Sequence, residues 1–256
     1  MERIIRNRVL PVLLISDDKL LKTVKFKKPI YIGDPVNAVK IFNDKEVDEI
    51  ILLDISTSKD RKEPNYAKIE EICSEAFMPF AYGGGINSMD QIDQLFKLGI
   101  EKVILNSVLT TNIQLVKEAS AKYGAQSIVG SIDVKKGLLG NYQAYTHSAT
   151  KRVKAKFQKY LTTVLNSGIG ELVINSIDKD GSYTDYDFNL IEMVSKQSEI
   201  PVVACGGAKS LSSFKQAIQA GASAVAAGSL FVYRGETKGI LINYPSQDQL
   251  TKEVFS

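Results

Sequence analysis

The sequence contains no tryptophan, one histidine and two cysteines in 256 residues. Cys73 and Cys205 are distant and lie in apolar settings, so they do not make the disulfide framework of a small secreted domain. No stretch reaches the roughly 18 uninterrupted apolar residues of a membrane-spanning helix. The first eight residues lack the apolar run of a secretion signal. These absences predict a cytoplasmic protein that does not bind membranes.

Charge of one sign is also scarce. The formal net charge is +3, and no block of lysine and arginine is long enough to indicate nucleic-acid binding. There is no cluster of metal-ligand residues, and the glycine motifs lack dinucleotide-binding spacing, so neither a metal nor a cofactor is expected. The hydrophobic content of 44% permits a sizeable core. The length suits one domain over residues 1–256.

An internal repeat is the most informative feature present. Residues 46–109 align with residues 168–231 at a constant offset and without a gap. The matched pairs include Glu49 and Glu171, Pro79 and Pro201, Gly84–Gly85 and Gly206–Gly207, and Ser107 and Ser229. Each copy reads as a strand–helix–strand–helix–strand unit. Two such units, each with one more strand and helix, predict an α/β fold, the (βα)8 TIM barrel with two-fold half-barrel symmetry.

Eight short apolar runs are predicted to be the strands of this barrel. Most are continuous rather than alternating, as expected for strands buried on both faces. They are Arg8–Ile15, Glu49–Ile55, Met78–Tyr82, Lys102–Asn106, Ser127–Asp133, Glu171–Ile177, Pro201–Cys205 and Ala224–Gly228. Helical patterns lie between them, which favours a parallel sheet. These helices are predicted from Asp34 to Lys45 and over Asn65–Ser74, Ser88–Leu98, Ile113–Tyr123, Phe157–Asn166, Asn189–Lys196 and Leu211–Ala220.

Glycine and small polar residues follow four of the strands, two in each copy of the repeat. Glycine lets backbone N–H groups approach an anion, serine adds a donor, and a helix N-terminus adds its dipole. Loops after strands seven and eight commonly bind phosphate in this fold. Tight turns would explain one glycine pair, but two equivalent clusters predict a ligand with a phosphate at each end. The clusters are Gly83–Gly85, Asn106–Ser107, Gly206–Gly207 and Gly228–Ser229.

Several carboxylates come where predicted strands end. Asp133 ends the fifth strand, where a carboxylate can act as general acid or base or can cap the loop. Asp180 follows the sixth strand and is a better site candidate than Asp178, which can hold the turn. Asp54 ends the second strand and is predicted to orient neighbouring groups.

Four ionisable residues lie at strand beginnings: Arg8, Glu49, Lys102 and Glu171. They come from different parts of the barrel and would meet near its N-terminal rim in a closed ion-paired ring. A purely stabilising network is the alternative, because this face usually serves stability. Spacing alone does not separate the two interpretations.

Two insertions are predicted at the opposite, C-terminal face. Leu20–Ile32 is rich in lysine, and Leu138–Lys156 contains His147 with tyrosines and basic residues. Loops at this face build the active sites of such barrels. The lysines are interpreted equally well as site residues or as a solvated hairpin, and His147 is interpreted as a solvated loop residue.

Short motifs spread over nearly the whole chain carry a family resemblance. They are Gly33–Pro35, Leu53–Ile55, Tyr82–Ile86, Asn106–Ser107, Ser131–Asp133, Asn175–Gly181 and Ala204–Ala208. In order and spacing they resemble the cyclase subunit of imidazole glycerol phosphate synthase, the HisF family. The resemblance implies a partner, a HisH-like glutaminase at the N-terminal face around Glu101, Lys102 and Gln126. Ammonia released there enters through a charged gate and travels through the barrel.

The resemblance also assigns roles to individual residues. The gate falls on Arg8, Glu49, Lys102 and Glu171. Catalytic roles fall on Asp133, Lys22, Asn106 and Asp180. Phosphate contacts fall on Gly84, Gly85, Ser107, Gly181, Gly206, Gly207, Gly228 and Ser229.

One departure from the family pattern concerns the acid–base pair of aspartates at the ends of strands one and five. Asp133 matches the second aspartate, but Leu14 occupies the position of the first. Loss of one acid–base group typically costs on the order of 10² to 10⁴ in rate. The loop after strand five also lacks the usual glycine-rich turn. A branch of the family associated with surface-polysaccharide genes is similar down to Leu20–Phe26 and Leu241–Pro245.

Three functions follow from the resemblance. The first is delivery of ammonia to a separate amidotransferase that converts an acetamido sugar of a surface glycan, such as lipopolysaccharide, to an acetamidino sugar. The second is the cyclase reaction of histidine biosynthesis, on a bisphosphorylated ribonucleotide. The third is a non-catalytic scaffold that binds a bisphosphorylated ligand and activates the glutaminase.

Overall fold

The computed structural model describes residues 7–60, 62–235 and 239–256. Its strands are β1 (Arg8–Ser16), β2 (Lys19–Val24), β3 (Lys27–Gly33), β4 (Ile50–Asp54), β5 (Phe80–Gly83), β6 (Lys102–Leu105), β7 (Ile128–Lys136), β8 (Tyr142–Thr146), β9 (Lys151–Arg152), β10 (Glu171–Ser176), β11 (Val202–Cys205), β12 (Ala224–Ala227), β13 (Tyr233–Arg234) and β14 (Gly239–Ile240). Eight of them, β1, β4, β5, β6, β7, β10, β11 and β12, pair in parallel in that order, and β12 closes on β1. The predicted (βα)8 barrel is confirmed.

Helices surround the barrel. They are α1 (Pro35–Asp44), α2 (Ile55–Asp60), α3 (Tyr66–Cys73), α4 (Met89–Lys97), α5 (Val108–Thr111), α6 (Ile113–Tyr123), α7 (Phe157–Leu165), α8 (Phe188–Ser195), α9 (Leu211–Gln219), α10 (Ser229–Val232) and α11 (Gln247–Glu253). Local signals set their starts, since Asp34 Oδ1 accepts a hydrogen bond from the Asn37 backbone N–H at 2.9 Å. In the described part of the chain, no helix is long and apolar enough to cross a membrane.

Two separate apolar cores position the site. The larger one lies between the barrel and its helices, and the smaller one fills the barrel interior. The interior core consists of Leu10, Val12, Ile51, Ala81, Ile104, Val129, Val173, Val203, Ala224 and Ala226. Its members alternate along their strands, so the residues two positions further on also face inward. The polar residues at each end of the barrel are therefore held by strands on a packed apolar column.

The structure differs from the sequence prediction mainly at the C-terminal face. The Leu20–Ile32 insertion forms a hairpin of β2 and β3 that pairs with β1, where Leu14 lies opposite Leu21. In the second insertion, β8 pairs with β7 and extends it to Lys136. Asp133 therefore does not end its strand as predicted but lies within it. The short helices α5 and α10 were not predicted.

Candidate active site

A cavity of about 270 Å³ opens at the C-terminal face of the barrel. It reaches down to Val12, Ile51, Ile104 and Val173 of the interior core. Eleven of the predicted catalytic and phosphate-binding residues line it, namely Lys22, Gly84, Gly85, Asn106, Asp133, Asp180, Gly181, Gly206, Gly207, Gly228 and Ser229. Ser107 is not among the lining residues. The cavity thus brings both halves of the repeat to one site.

Asp133 is the central ionisable group of the cavity. Its Oδ2 accepts a hydrogen bond from Asn106 Nδ2 at 3.2 Å, and its Oδ1 accepts one from Asn175 Nδ2 at 3.4 Å. Burial raises the pKa of Asp133 to about 7; the negative charge of Asp180 also raises it, while the two amide hydrogen bonds lower it. A carboxyl group with this pKa can accept or donate a proton near neutral pH.

The raised pKa of Asp133 predicts a specific effect on stability. The folded protein holds this proton between about pH 4 and pH 7, whereas an unfolded chain releases it near pH 4, so this residue lowers stability as pH rises through that window. We expect Asp133→Asn to raise the free energy of unfolding by about 2–4 kcal/mol at pH 8 and by much less at pH 4. Urea unfolding at both pH values measures the difference. An equal effect at both would contradict this pKa.

Lys22 is buried at the side of the cavity with only 5% of its surface exposed. Its Nζ donates hydrogen bonds to Asp180 Oδ1 at 3.1 Å and to the Thr23 carbonyl at 2.8 Å. The Asp180 backbone carbonyl in turn accepts from the Lys25 N–H at 3.0 Å. The β2–β3 hairpin is therefore tied to the loop after β10. Of the lysines in this hairpin, Lys22 lines the cavity, whereas Lys25, Lys27 and Lys28 are exposed.

The two glycine clusters hold their loops against neighbouring backbone. Gly84 has φ of 138°, and a Cβ there would lie 2.4 Å from the Asp54 carbonyl oxygen. In the other copy of the repeat, Gly207 has φ of 110°, and a Cβ would lie 2.3 Å from the Asp185 carbonyl oxygen. At the start of α10, the Ser229 hydroxyl is buried, and no hydrogen-bond partner is found for it among the described residues. An anion at this serine would supply the missing partner.

Substitution of these glycines is expected to be costly. Gly207→Ala should lower the free energy of unfolding by about 3 kcal/mol, because it adds a backbone clash to a left-handed φ. Gly99 is a matched control, since its φ is 93° but nothing lies within 4 Å of the point that a Cβ would occupy. Gly99→Ala should cost only about 1 kcal/mol. Urea unfolding compares the two, and equal losses would show that close approach does not matter at Gly207.

The four predicted ring residues lie together at the N-terminal end of the barrel. Arg8 donates to Glu49 and to Glu171. Lys102 Nζ lies 2.8 Å from Glu49 Oε2 and 3.0 Å from Glu171 Oε2. Burial tends to lower the pKa of the Arg8 guanidinium, but attraction to Glu171 and Glu49 raises it overall. Two cations and two carboxylates thus alternate in a closed ring beneath the apolar column.

Three residues not assigned to the site from sequence also line the cavity: Asn175, Cys205 and His147. Burial, followed by the charge of Asp180, raises the pKa of the Cys205 thiol to about 12. His147, interpreted as a solvated loop residue, is instead half-buried, with Nδ1 3.0 Å from Thr146 Oγ1. The position of Asn175 in the cavity could have been predicted from the sequence. It continues the inward-facing alternation of Glu171 and Val173 along β10.

Several known proteins resemble this chain over most of its length. The family model described as Histidine biosynthesis protein matches residues 8–238. A Pseudomonas aeruginosa protein with the provisional name imidazole glycerol phosphate synthase subunit hisF2 is 44% identical over 247 residues, or 96% of this chain and 98% of that protein. The chain belongs to the HisF family. A Vibrio vulnificus relative provisionally named hisF3 is 42% identical, over 98% of this chain and 97% of its own. The imidazole glycerol phosphate synthase subunit HisF of Petrotoga mobilis is 36% identical, over 89% of this chain and 90% of its own length.

Within this HisF-family site, the two sides of the cavity differ in polarity. Leu14 and Leu53 are paired in register on β1 and β4, and both line the cavity. The opposite side holds Asp133, Asn175 and Asn106. A ligand bound here therefore meets hydrogen-bonding groups on one side and hydrocarbon on the other.

Proposed function

We propose that this HisF-family chain receives ammonia from a HisH-like glutaminase and delivers it through the barrel for amidation of an acetamido sugar of a surface glycan. The observation that carries the proposal is Leu14. It occupies the position at which the resemblance to the cyclases predicts one of two catalytic aspartates, and it presents hydrocarbon to the cavity. A leucine cannot transfer a proton, so it removes half of the acid–base pair that cyclisation needs.

The barrel interior supports ammonia transfer. Between the charged ring and the cavity lies the interior core, whose ten buried members are all apolar. Burying an unpaired ammonium ion in such surroundings costs far more free energy than burying neutral ammonia. This column therefore favours passage of the neutral molecule. Ala81, Ala224 and Ala226 contribute small side chains to it, which limits the displacement that passage requires.

The ring of Arg8, Glu49, Lys102 and Glu171 supports entry at the N-terminal end. It lies where the strands begin, on the face opposite the cavity mouth. The name of the Petrotoga mobilis relative makes it one subunit of imidazole glycerol phosphate synthase, and the family resemblance implies a HisH-like glutaminase as the other. We assign this face to the glutaminase and the ring to the gate that admits ammonia.

An isotope experiment tests the delivery. The chain, a HisH-type glutaminase and the sugar amidotransferase are supplied with glutamine labelled with ¹⁵N in its amide, together with excess unlabelled ammonium. Transfer through the barrel predicts that the product keeps the glutamine label. Dilution of the label to the solvent ratio would overturn the proposal, and a reaction without this chain is the control.

The cyclase of histidine biosynthesis is the second candidate. It is favoured by Asp133, whose raised pKa of about 7 and two amide partners suit proton transfer. It is also favoured by the equivalent glycine clusters, which fit a ligand with two phosphates. Glutaminase activation by a bisphosphorylated ligand without chemistry in this chain is a third candidate. It predicts ligand-dependent glutamine hydrolysis that persists in Asp133→Asn.

A further inference from the structure

Asn175 lies on the polar side of the cavity, next to Asp133. In the sheet it is in register with Asp133 on β7 and with Cys205 on β11. All three line the cavity. Residues in register on neighbouring strands point to the same face, so Asn175 lies beside the carboxylate rather than above it.

The two ends of the Asn175 amide have different surroundings. Nδ2 donates to Asp133 Oδ1 at 3.4 Å. Oδ1 is buried, and no hydrogen-bond partner is found for it among the described residues. A buried acceptor without a partner costs about 1–3 kcal/mol. A bound molecule with an N–H or O–H donor would recover that free energy.

The orientation of this amide follows from its neighbours. When Asp133 is ionised, its carboxylate only accepts hydrogen bonds, so it selects the NH2 end of Asn175 and turns the carbonyl away from itself. Gly206 leaves room for that carbonyl, since a Cβ there would lie 2.9 Å from Asn175 Oδ1. Exchanging the two ends of the amide would place two oxygens against each other.

We propose that Asn175 receives the delivered nitrogen: its Oδ1 accepts a hydrogen bond from ammonia while its Nδ2 holds the Asp133 carboxylate alongside. This inference rests on the proposed function and names the residue that binds ammonia at the end of the route. Ammonia has three N–H donors and one lone pair. An acceptor binds it through N–H and leaves the lone pair free to attack, whereas a donor such as Lys22 Nζ would occupy the lone pair.

The apolar side of the cavity strengthens the assignment. Ammonia that leaves the interior core passes Val173, two residues before Asn175 on the same strand. Leu14 and Leu53 offer it no hydrogen bond. Asn106 Nδ2 already donates to Asp133 and to the Ser131 carbonyl at 3.0 Å. Beside Asp133, the Asn175 carbonyl is a buried acceptor, without a partner among the described residues, that the cavity presents to an arriving N–H donor.

Titration of Asp133 tests the inference without any partner protein. The pKa of Asp133 is followed by ¹³C NMR in ammonium chloride and in sodium chloride of equal concentration. The ammonium ion presents N–H donors as ammonia does, and its positive charge reports its binding. In the parent chain, ammonium bound at Asn175 should therefore lower the pKa of Asp133 relative to sodium. Asn175→Leu should weaken the apparent affinity for ammonium about tenfold, the effect of losing one hydrogen bond. It should also raise the pKa of Asp133 in sodium chloride, because one amide donor is lost.

Two further variants complete the design. Asn175→Ala should show the same weaker affinity for ammonium and the same higher pKa of Asp133. It replaces Asn175→Leu if the leucine variant does not fold. Ser195→Ala is the control, since the Ser195 hydroxyl is likewise buried without a partner among the described residues, but it lies on helix α8. It should behave as the parent. An unchanged ammonium effect in the Asn175 variants, or none in the parent, would overturn the inference. Neither result depends on glutaminase or sugar enzyme, so delivery through the barrel is judged separately by the isotope experiment.

Discussion

Leu14→Asp is expected to raise ammonium-dependent cyclase turnover by on the order of 10²-fold over the parent chain. The substitution returns a carboxylate to the side of the cavity that faces Asp133. The remaining parts of a cyclase site are in place, because Lys22, Asn106, Asp133 and the glycine clusters already line the cavity. Restoring a single proton-transfer group is therefore expected to have a large effect. Turnover is measured with the bisphosphorylated ribonucleotide and ammonium salt.

Leu53→Asp is the matched control for this prediction. Leu53 is the register partner of Leu14 on the adjacent strand, β4, and lines the same cavity. Both substitutions add one carboxylate to the same apolar wall, but only the one at Leu14 restores the position of the family aspartate. A similar gain from both variants would indicate a general electrostatic effect. Parent turnover that already matches Leu14→Asp would mean that the aspartate is dispensable.

Glu171→Gln is expected to lower the free energy of unfolding by about 2–4 kcal/mol. Glu171 is almost fully buried and contacts both cations of the ring, Arg8 and Lys102. Its removal leaves two half-buried positive charges with one carboxylate, Glu49. The loss of stability arises mainly because the positive charges of Arg8 and Lys102 lose a carboxylate partner at a position with little access to water. Urea unfolding at neutral pH measures it.

An exposed ion pair provides the comparison. Glu192 Oε1 lies 2.6 Å from Lys196 Nζ on α8, and both side chains are more than half exposed. Glu192→Gln should leave the free energy of unfolding nearly unchanged, because solvent and salt screen such pairs. If Glu171→Gln costs no more than Glu192→Gln, the ring is not a coupled buried network.

Much of the architecture was predictable because the chain repeats itself. The repeat set the strand order, and the continuous apolar runs located all eight barrel strands within a few residues. The charged ring was predictable from Arg8, Glu49, Lys102 and Glu171 at strand starts, since barrel strands begin at one face. Its proposed use as a gate came from the family resemblance alone.

Other features depend on contacts between strands that no single segment reveals. The β2–β3 hairpin forms from a lysine-rich segment whose pairing with β1 is a tertiary effect. Asn175 acquires its significance from Asp133, 42 positions earlier in the chain but adjacent in the sheet. The burial that raises the pKa of Asp133 likewise arises only when the barrel closes.

Cyclase turnover of the unmodified chain tests the central claim most directly. The purified protein is given the bisphosphorylated ribonucleotide and a high concentration of ammonium salt, which bypasses the glutaminase. The proposed function predicts turnover at background level in a folded chain that still binds and activates a HisH-type partner. Robust turnover would contradict it, and would assign the chain to histidine biosynthesis with Leu14 tolerated in the site.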